Sequence, residues 1–251
     1  MISVQPLNYS NPEVTQEGIT AAILAQMERQ TVAERLEQVR NRIEAACKRS
    51  GRLPKEITLI AVTKGFPPDV VHEAVAAGIT DIGENRVQEA QAKRSELSDL
   101  PANVTHHMLG HLQTNKVKAA LDLFDIIHSV DSLHLAEAIS RRASTPFPVF
   151  LEVNAAAETS KFGFTPEAIP DEVRAIRGLS NLDVRGLMTV APIADDTEDV
   201  RPIFRRLRKC ADDLDLQDVS MGMTNDFEVA IEEGATHVRI GRALFGERSL
   251  P

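Results

Sequence analysis

The feature that most constrains this chain is an alternation of eight short apolar runs with segments of helical pattern. The runs fall at 57–63, 80–83, 104–109, 125–130, 147–153, 184–190, 218–221 and 237–240. Helices are expected between them, over 67–77, 86–97, 115–123, 132–143, 166–177, 196–214 and 226–233. One more precedes the first strand. It starts at Thr31, where Thr31-x-x-Glu34 has the form of a capping box, and Val32, Leu36, Val39, Ile43 and Cys47 recur at helical spacing. Strand–helix–strand repetition implies parallel strands with right-handed crossovers. Eight such units close into a (β/α)8 TIM barrel, for which about 250 residues is the usual size. An open doubly wound sheet is the alternative, but the Gly-x-Gly-x-x-Gly fingerprint it should carry is missing. The domain expectation is therefore a single barrel over 31–251. Residues 1–30, broken up by Asn8, Ser10, Asn11, Pro12 and Gly18, read as an extension, in part disordered.

Charge and composition exclude several function classes. The formal net charge of -9, with no long basic run, argues against nucleic acid as a partner. No stretch approaches the roughly 20 apolar residues of a membrane span. No secretory signal pattern opens the chain, and Cys47 and Cys210 stand far apart, outside any Cys-x-x-Cys pattern. A cytoplasmic protein with two free thiols and no metal site is the expectation.

In a (β/α)8 barrel the functional face lies at the carboxyl ends of the strands. Lys64 follows the first strand, and an amine at the end of an apolar strand is what Schiff-base chemistry needs, because burial favours its neutral, nucleophilic form. A lysine snorkelling out of a strand end is the blander account. Gly83–Glu84–Asn85–Arg86 follows the second strand, and Met188–Thr189 lie near the end of the sixth. After the seventh strand, Ser220, Gly222 and Thr224 offer hydroxyls and approachable amides for a phosphate, and Gly241, followed by Arg242, allows close approach after the eighth. Asp226 reads as a helix cap. Arg239 sits in a strand between Val238 and Ile240, where a buried cation needs an acceptor. That acceptor is either a carboxylate such as Glu84 or Glu152, or the ring nitrogen of a ligand held unprotonated by the guanidinium. Lysine, phosphate loops and arginine together suggest pyridoxal phosphate (PLP).

These residues also carry a resemblance. Ala61–Val–Thr–Lys64, Gly83–Glu–Asn–Arg–Val–Gln–Glu89, Leu109–Gly–His–Leu–Gln–Thr–Asn–Lys116, His128–Ser–Val–Asp131, Gly186–Leu–Met–Thr189, Ser220–Met–Gly–Met–Thr224 and Val238–Arg–Ile–Gly241 with Phe245–Gly–Glu–Arg248 are similar, in order and spacing, to the pyridoxal phosphate homeostasis proteins. The resemblance covers about residues 31 to 249. It implies a single-domain barrel of the alanine racemase N-terminal type, with PLP held as a Schiff base on Lys64. Arg239 matches the arginine facing the pyridine nitrogen. Thr224 and Gly241 match phosphate contacts, with Ser220 and the Arg242 backbone nearby. Asn85 and Met188 fall where the family lines the cofactor. The chain departs from the family in Thr63 for a frequent Ser, His106–His107 for a Trp-His pair, and Thr224 for a Ser.

The racemases sharing this barrel add a second domain and a tyrosine base on the opposite face of the cofactor. Here the chain stops at Pro251 and its one tyrosine is Tyr9, in the extension. Lys161 and His111 are the candidate substitutes. The expectation is a monomeric protein that holds, buffers or delivers PLP, to PLP-dependent apoenzymes among other partners, without turnover. The alternatives are a low-activity PLP-dependent amino-acid racemase and a PLP-free Schiff-base lyase.

Overall fold

A computed structural model describes residues 30–156 and 162–247 of the chain. Eight strands form a closed, all-parallel barrel in sequential order: β1 (Thr58–Val62), β2 (Asp81–Glu84), β3 (Thr105–Met108), β4 (Ile126–Val130), β5 (Phe147–Glu152), β6 (Leu182–Met188), β7 (Asp218–Met223) and β8 (His237–Ile240). Closure is made by β8 against β1, with Arg239 level with Ile60.

The helices are α1 (Val32–Ser50), α2 (Pro68–Ala76), α3 (Val87–Lys93), α4 (Val117–Leu123), α5 (Leu133–Ser140), α6 (Ile169–Arg177), α7 (Arg201–Asp213), α8 (Phe227–Glu232) and α9 (Arg242–Phe245). The four-residue α9 was not foreseen from the sequence. The expected helix over 86–97 ends at Lys93 and continues as turns, in which the Glu96 and Leu97 amides both donate to the Lys93 carbonyl. Pro202 lies at the start of α7, so the expected helix over 196–214 begins as a 3-10 turn over Thr197–Val200.

The apolar face of α1 buries Leu36, Val39, Ile43, Ala46 and Cys47. It packs on α8 and α9, where Arg42 pairs with Glu228 at 2.8 Å and lies over the Phe227 ring. Its first amide, on Val32, donates to Glu73 of α2 at 3.2 Å. Cys47 and Cys210 are both free thiols.

Strand alternation separates two layers. Ala61, Ile82, Met108, Ile127, Val149, Leu151, Leu187, Val219, Val238 and Ile240 face outward into the main core under the helices. Ile60, Val62 and Leu109 form a separate small cluster. Such interiors are usually filled by branched aliphatic side chains. Here buried His107, His128, Ser220 and Arg239 hydrogen-bond to one another across it.

Four of the five basic residues of α7 are neutralised locally. Arg201 pairs with Glu198, Glu232 and Glu233, Arg205 with Glu233, Arg208 with Asp212, and Lys209 with Asp213. Arg206 donates to the Ala155 carbonyl at 3.3 Å. The face therefore presents no free basic stripe.

Candidate functional site

A cavity of about 470 Å³ opens at the carboxyl end of the barrel. Its walls include Lys64, Asn85, Thr224, Arg239, Gly241 and Arg242, six of the eight residues anticipated from the sequence. Lys64 is half-buried in a turn two residues past the end of β1, which is shorter than the expected strand. The turn is held on both sides: the Gly65 amide donates to Glu89 Oε1 at 2.5 Å, and the Thr63 carbonyl accepts from Lys93 Nζ at 3.0 Å.

On the neighbouring strand β8 lies Arg239, 6% exposed. It forms no ion pair with Glu84 or Glu152. Nη1 donates to Ser220 Oγ at 2.7 Å and Nη2 to the Thr189 carbonyl at 2.8 Å, both neutral acceptors. Glu84 is engaged elsewhere, by Lys93 at 2.7 Å and the Thr63 hydroxyl at 2.7 Å. Burial pulls the Arg239 guanidinium down to about 10, against the more distant pull of Asp226 and Glu152. It remains a cation at neutral pH, and a buried cation whose hydrogen-bond partners among the described residues are all neutral favours an electron-rich ligand atom in the cavity.

The loops after β7 and β8 meet on the third side. Gly222, near the end of β7, has φ +88°, and a Cβ there would lie 2.5 Å from the Ala230 Cβ, so only glycine lets α8 pack this close to the strand end. The Thr224 hydroxyl accepts from the Ala243 amide at 3.4 Å, joining the two loops, and Arg242 Nη2 donates to Asn225 Oδ1 at 2.8 Å. Asp226 does not cap α8. Its carboxylate turns back to accept the Met223 amide at 2.6 Å, and burial raises its pKa.

The other two anticipated residues stand behind the wall. Met188 and Ser220 are fully buried and do not line the cavity. Ser220 acts on it through Arg239. The sequence reading missed Val190, Pro192, Ile193, Ala194 and Thr197, which form a rim after β6. It also gave no role to Met223 and Asn225. They adjoin Thr224 in the segment already singled out, so the signal was available. His111 is turned to Asp131, with Nδ1 2.9 Å from Oδ2, and stacks on Phe162; it does not line the cavity. Lys161 and Tyr9 lie outside the described residues.

The model of the alanine racemase N-terminal domain matches residues 35–249. A pyridoxal phosphate homeostasis protein of Aquifex aeolicus is 45% identical over 224 residues, covering 86% of this chain and 97% of that protein. This chain belongs to the pyridoxal phosphate homeostasis protein family. Among solved structures of its relatives, a protein of Bifidobacterium adolescentis superposes with a TM-score of 0.81 at 36% identity, covering 85% of this chain and 94% of the other. PipY of Synechococcus elongatus, solved with PLP bound, superposes with a TM-score of 0.75 at 38% identity, covering 86% of this chain and all of PipY. A closed eight-stranded barrel is thus the fold that both the family and this chain's own strand pairing support.

Proposed function

We propose that this protein binds PLP at the cavity and serves PLP homeostasis by holding and delivering the cofactor. The observation that carries the reading is Arg239, a buried guanidinium whose hydrogen-bond partners among the described residues are all neutral and which faces the cavity lined by Lys64. The residues present fit the group. Lys64 supplies the anchoring amine, Arg239 the cation that keeps a pyridine nitrogen unprotonated, and Thr224, Gly241 and Arg242 the phosphate end. Asn85 lines the wall, and Met188 and Ser220 support it from behind. When bound, PLP supplies a carbonyl for amine capture and an electron sink, which an unprotonated ring nitrogen weakens.

The protein's own residues favour holding over turnover. Among the described residues that line the cavity, Lys64 is the one amine, and none is a histidine or tyrosine that would act as a base from the opposite face. Delivery to PLP-dependent apoenzymes from a cytoplasmic monomer completes the proposal.

With PLP added, the purified protein should absorb near about 420 nm, and borohydride should fix the cofactor onto Lys64, as expected for a protonated PLP imine. Lys64→Ala should abolish both signals. Lys64-dependent conversion of L- to D-amino acids would replace the holding role with racemisation.

A further inference from the structure

A hydrogen-bonded chain runs through the barrel interior behind the cavity. Asp81 Oδ1 lies 3.0 Å from His107 Nε2, His107 Nδ1 lies 2.9 Å from His128 Nε2, and His128 Nδ1 lies 3.0 Å from Ser220 Oγ. Ser220 Oγ accepts from Arg239 Nη1 at 2.7 Å. Asp81 is the first residue of β2, at the amino-terminal mouth of the barrel, whereas Arg239 faces the cavity at the opposite mouth. Phe150 stacks on His128 with ring centres 4.3 Å apart and fixes the plane of the imidazole.

The two ends of the chain assign its protons. Arg239 can only donate, so one lone pair of Ser220 Oγ is committed to it. Burial pushes the Asp81 carboxyl up, but hydrogen bonds from His107 and from the Thr80 hydroxyl more than offset this and hold it ionised. An ionised carboxylate only accepts, so His107 carries its proton on Nε2. In a neutral ring Nδ1 then accepts, which requires the proton of His128 on Nε2. His128 Nδ1 accepts in turn, from the Ser220 hydroxyl. With His107 neutral, the opposite polarity would set a lone pair of its ring against the Asp81 carboxylate. His128 is wholly buried, and burial keeps it neutral. The other charged or titratable groups close to the chain are His237, 6.0 Å from the His128 ring, Asp218, which acts on His237, His106 beside His107, and Asp226 and Glu152, which act on Arg239.

We propose that Asp81, His107 and His128 are positioning residues for the cofactor: they draw the Ser220 proton away from Arg239, so that the serine oxygen offers only lone pairs and steadies the guanidinium against the cofactor ring. This rests on the PLP reading above. It couples a carboxylate at the far mouth of the barrel to the site of the ring nitrogen. Ser220 is then the junction between the two, which is why it is buried in the wall and does not touch the cavity.

Nitrogen-15 NMR of histidine-labelled protein at pH 8 tests the polarity directly, without cofactor. His107 and His128 should both carry the proton on Nε2, with Nδ1 unprotonated. A proton on His128 Nδ1 in the wild-type protein would overturn the proposal. Asp81→Asn, able to donate or accept at the same place, should admit the second tautomer. Asp81→Asn and His128→Phe should each lower PLP affinity about tenfold, the loss expected when a charge-assisted hydrogen bond is weakened, and shift the visible band. Both variants should still yield the Lys64 adduct at saturating PLP. Wild-type affinity and spectrum in Asp81→Asn would refute the coupling while leaving PLP binding intact. Absence of the adduct in every protein, wild type included, would instead refute the PLP reading, and the tautomers would still decide the polarity. Should His128→Phe fail to fold, the conservative Asp81→Asn carries the test.

Discussion

Lys93 and Glu84 form a buried ion pair, Nζ to Oε1 at 2.7 Å, beside the turn that presents Lys64. The same ammonium reaches the Thr63 carbonyl and Glu89 Oε1, and Glu89 in turn holds the Gly65 amide. Both neighbours of Lys64 are thus tied to one lysine on α3. Free-standing strand ends are mobile, and an anchoring amine must be presented in one place.

Removing that lysine should therefore cost stability and cofactor together. Lys93→Met leaves Glu84 buried without its cation, and burial already raises the Glu84 pKa. Breaking one partner of a buried pair costs about 3–5 kcal/mol. The urea midpoint should fall accordingly, and the Lys64 adduct should form more slowly at equal PLP. Pairing Lys93→Met with Glu84→Gln should recover part of the stability, since no charge is then stranded. A double variant no more stable than the single one would show that the pair is not the source of the loss.

At Arg239 the expected changes separate charge from shape. Arg239→Ala should weaken PLP binding by at least about tenfold, as loss of a charge-assisted contact predicts. Arg239→Lys keeps a cation but loses the fork that now reaches Ser220 and Thr189 at once. It should bind more tightly than Arg239→Ala, with an altered spectrum. Equilibrium titration monitored by absorbance distinguishes the two. Equal, wild-type binding in both would remove Arg239 from the site.

Much of this was legible in the sequence because burial imposes simple patterns. A parallel strand covered on both faces must be a continuous apolar run, so all eight strands could be located. Lys64 and Arg239 stood out because a charge against such a run demands a reason. What the pattern does not encode is register. His128 and Ser220 lie 92 positions apart, and their contact exists only because the barrel closes with one particular stagger. For the same reason Ser220, a plausible phosphate ligand from its loop, proves to point into the interior. Asp226 followed the statistics of helix caps, but its carboxylate found the Met223 amide closer. Rim residues such as Ile193 and Ala194 belong to a loop with no periodicity to read.

Gly110 should tolerate no side chain. A Cβ there would collide with the carbonyl oxygen of Asn85, a backbone atom that cannot swing aside. Asn85 lines the cavity, so the strain would reach the cofactor. Gly110→Ala should destabilise the protein by about 1–3 kcal/mol, the usual cost of overpacking. PLP affinity should fall as well, measured on the folded fraction. Stability and affinity both unchanged would mean that β2 and β3 can separate there at no cost.

Acid should unfold this protein earlier than its carboxylates alone would require. Burial lowers the pKa of His237 from 6.5 to about 4, with His107 and Arg239 adding to the effect and Asp218 and Asp81 opposing it. Burial lowers His128 as well. The unfolded chain takes up these protons near the ordinary histidine value, before the folded chain does. The contribution to stability is therefore whole above pH 6.5 and is lost progressively as the pH falls toward 4. For His237 alone it amounts to on the order of 3 kcal/mol. Urea midpoints measured from pH 7.5 to pH 4 should fall steeply across that interval. His237→Gln, which does not titrate, should flatten part of the fall, whatever its effect at neutral pH. The same slope in wild type and His237→Gln would mean that the imidazole stays protonated, or solvated, in the folded barrel.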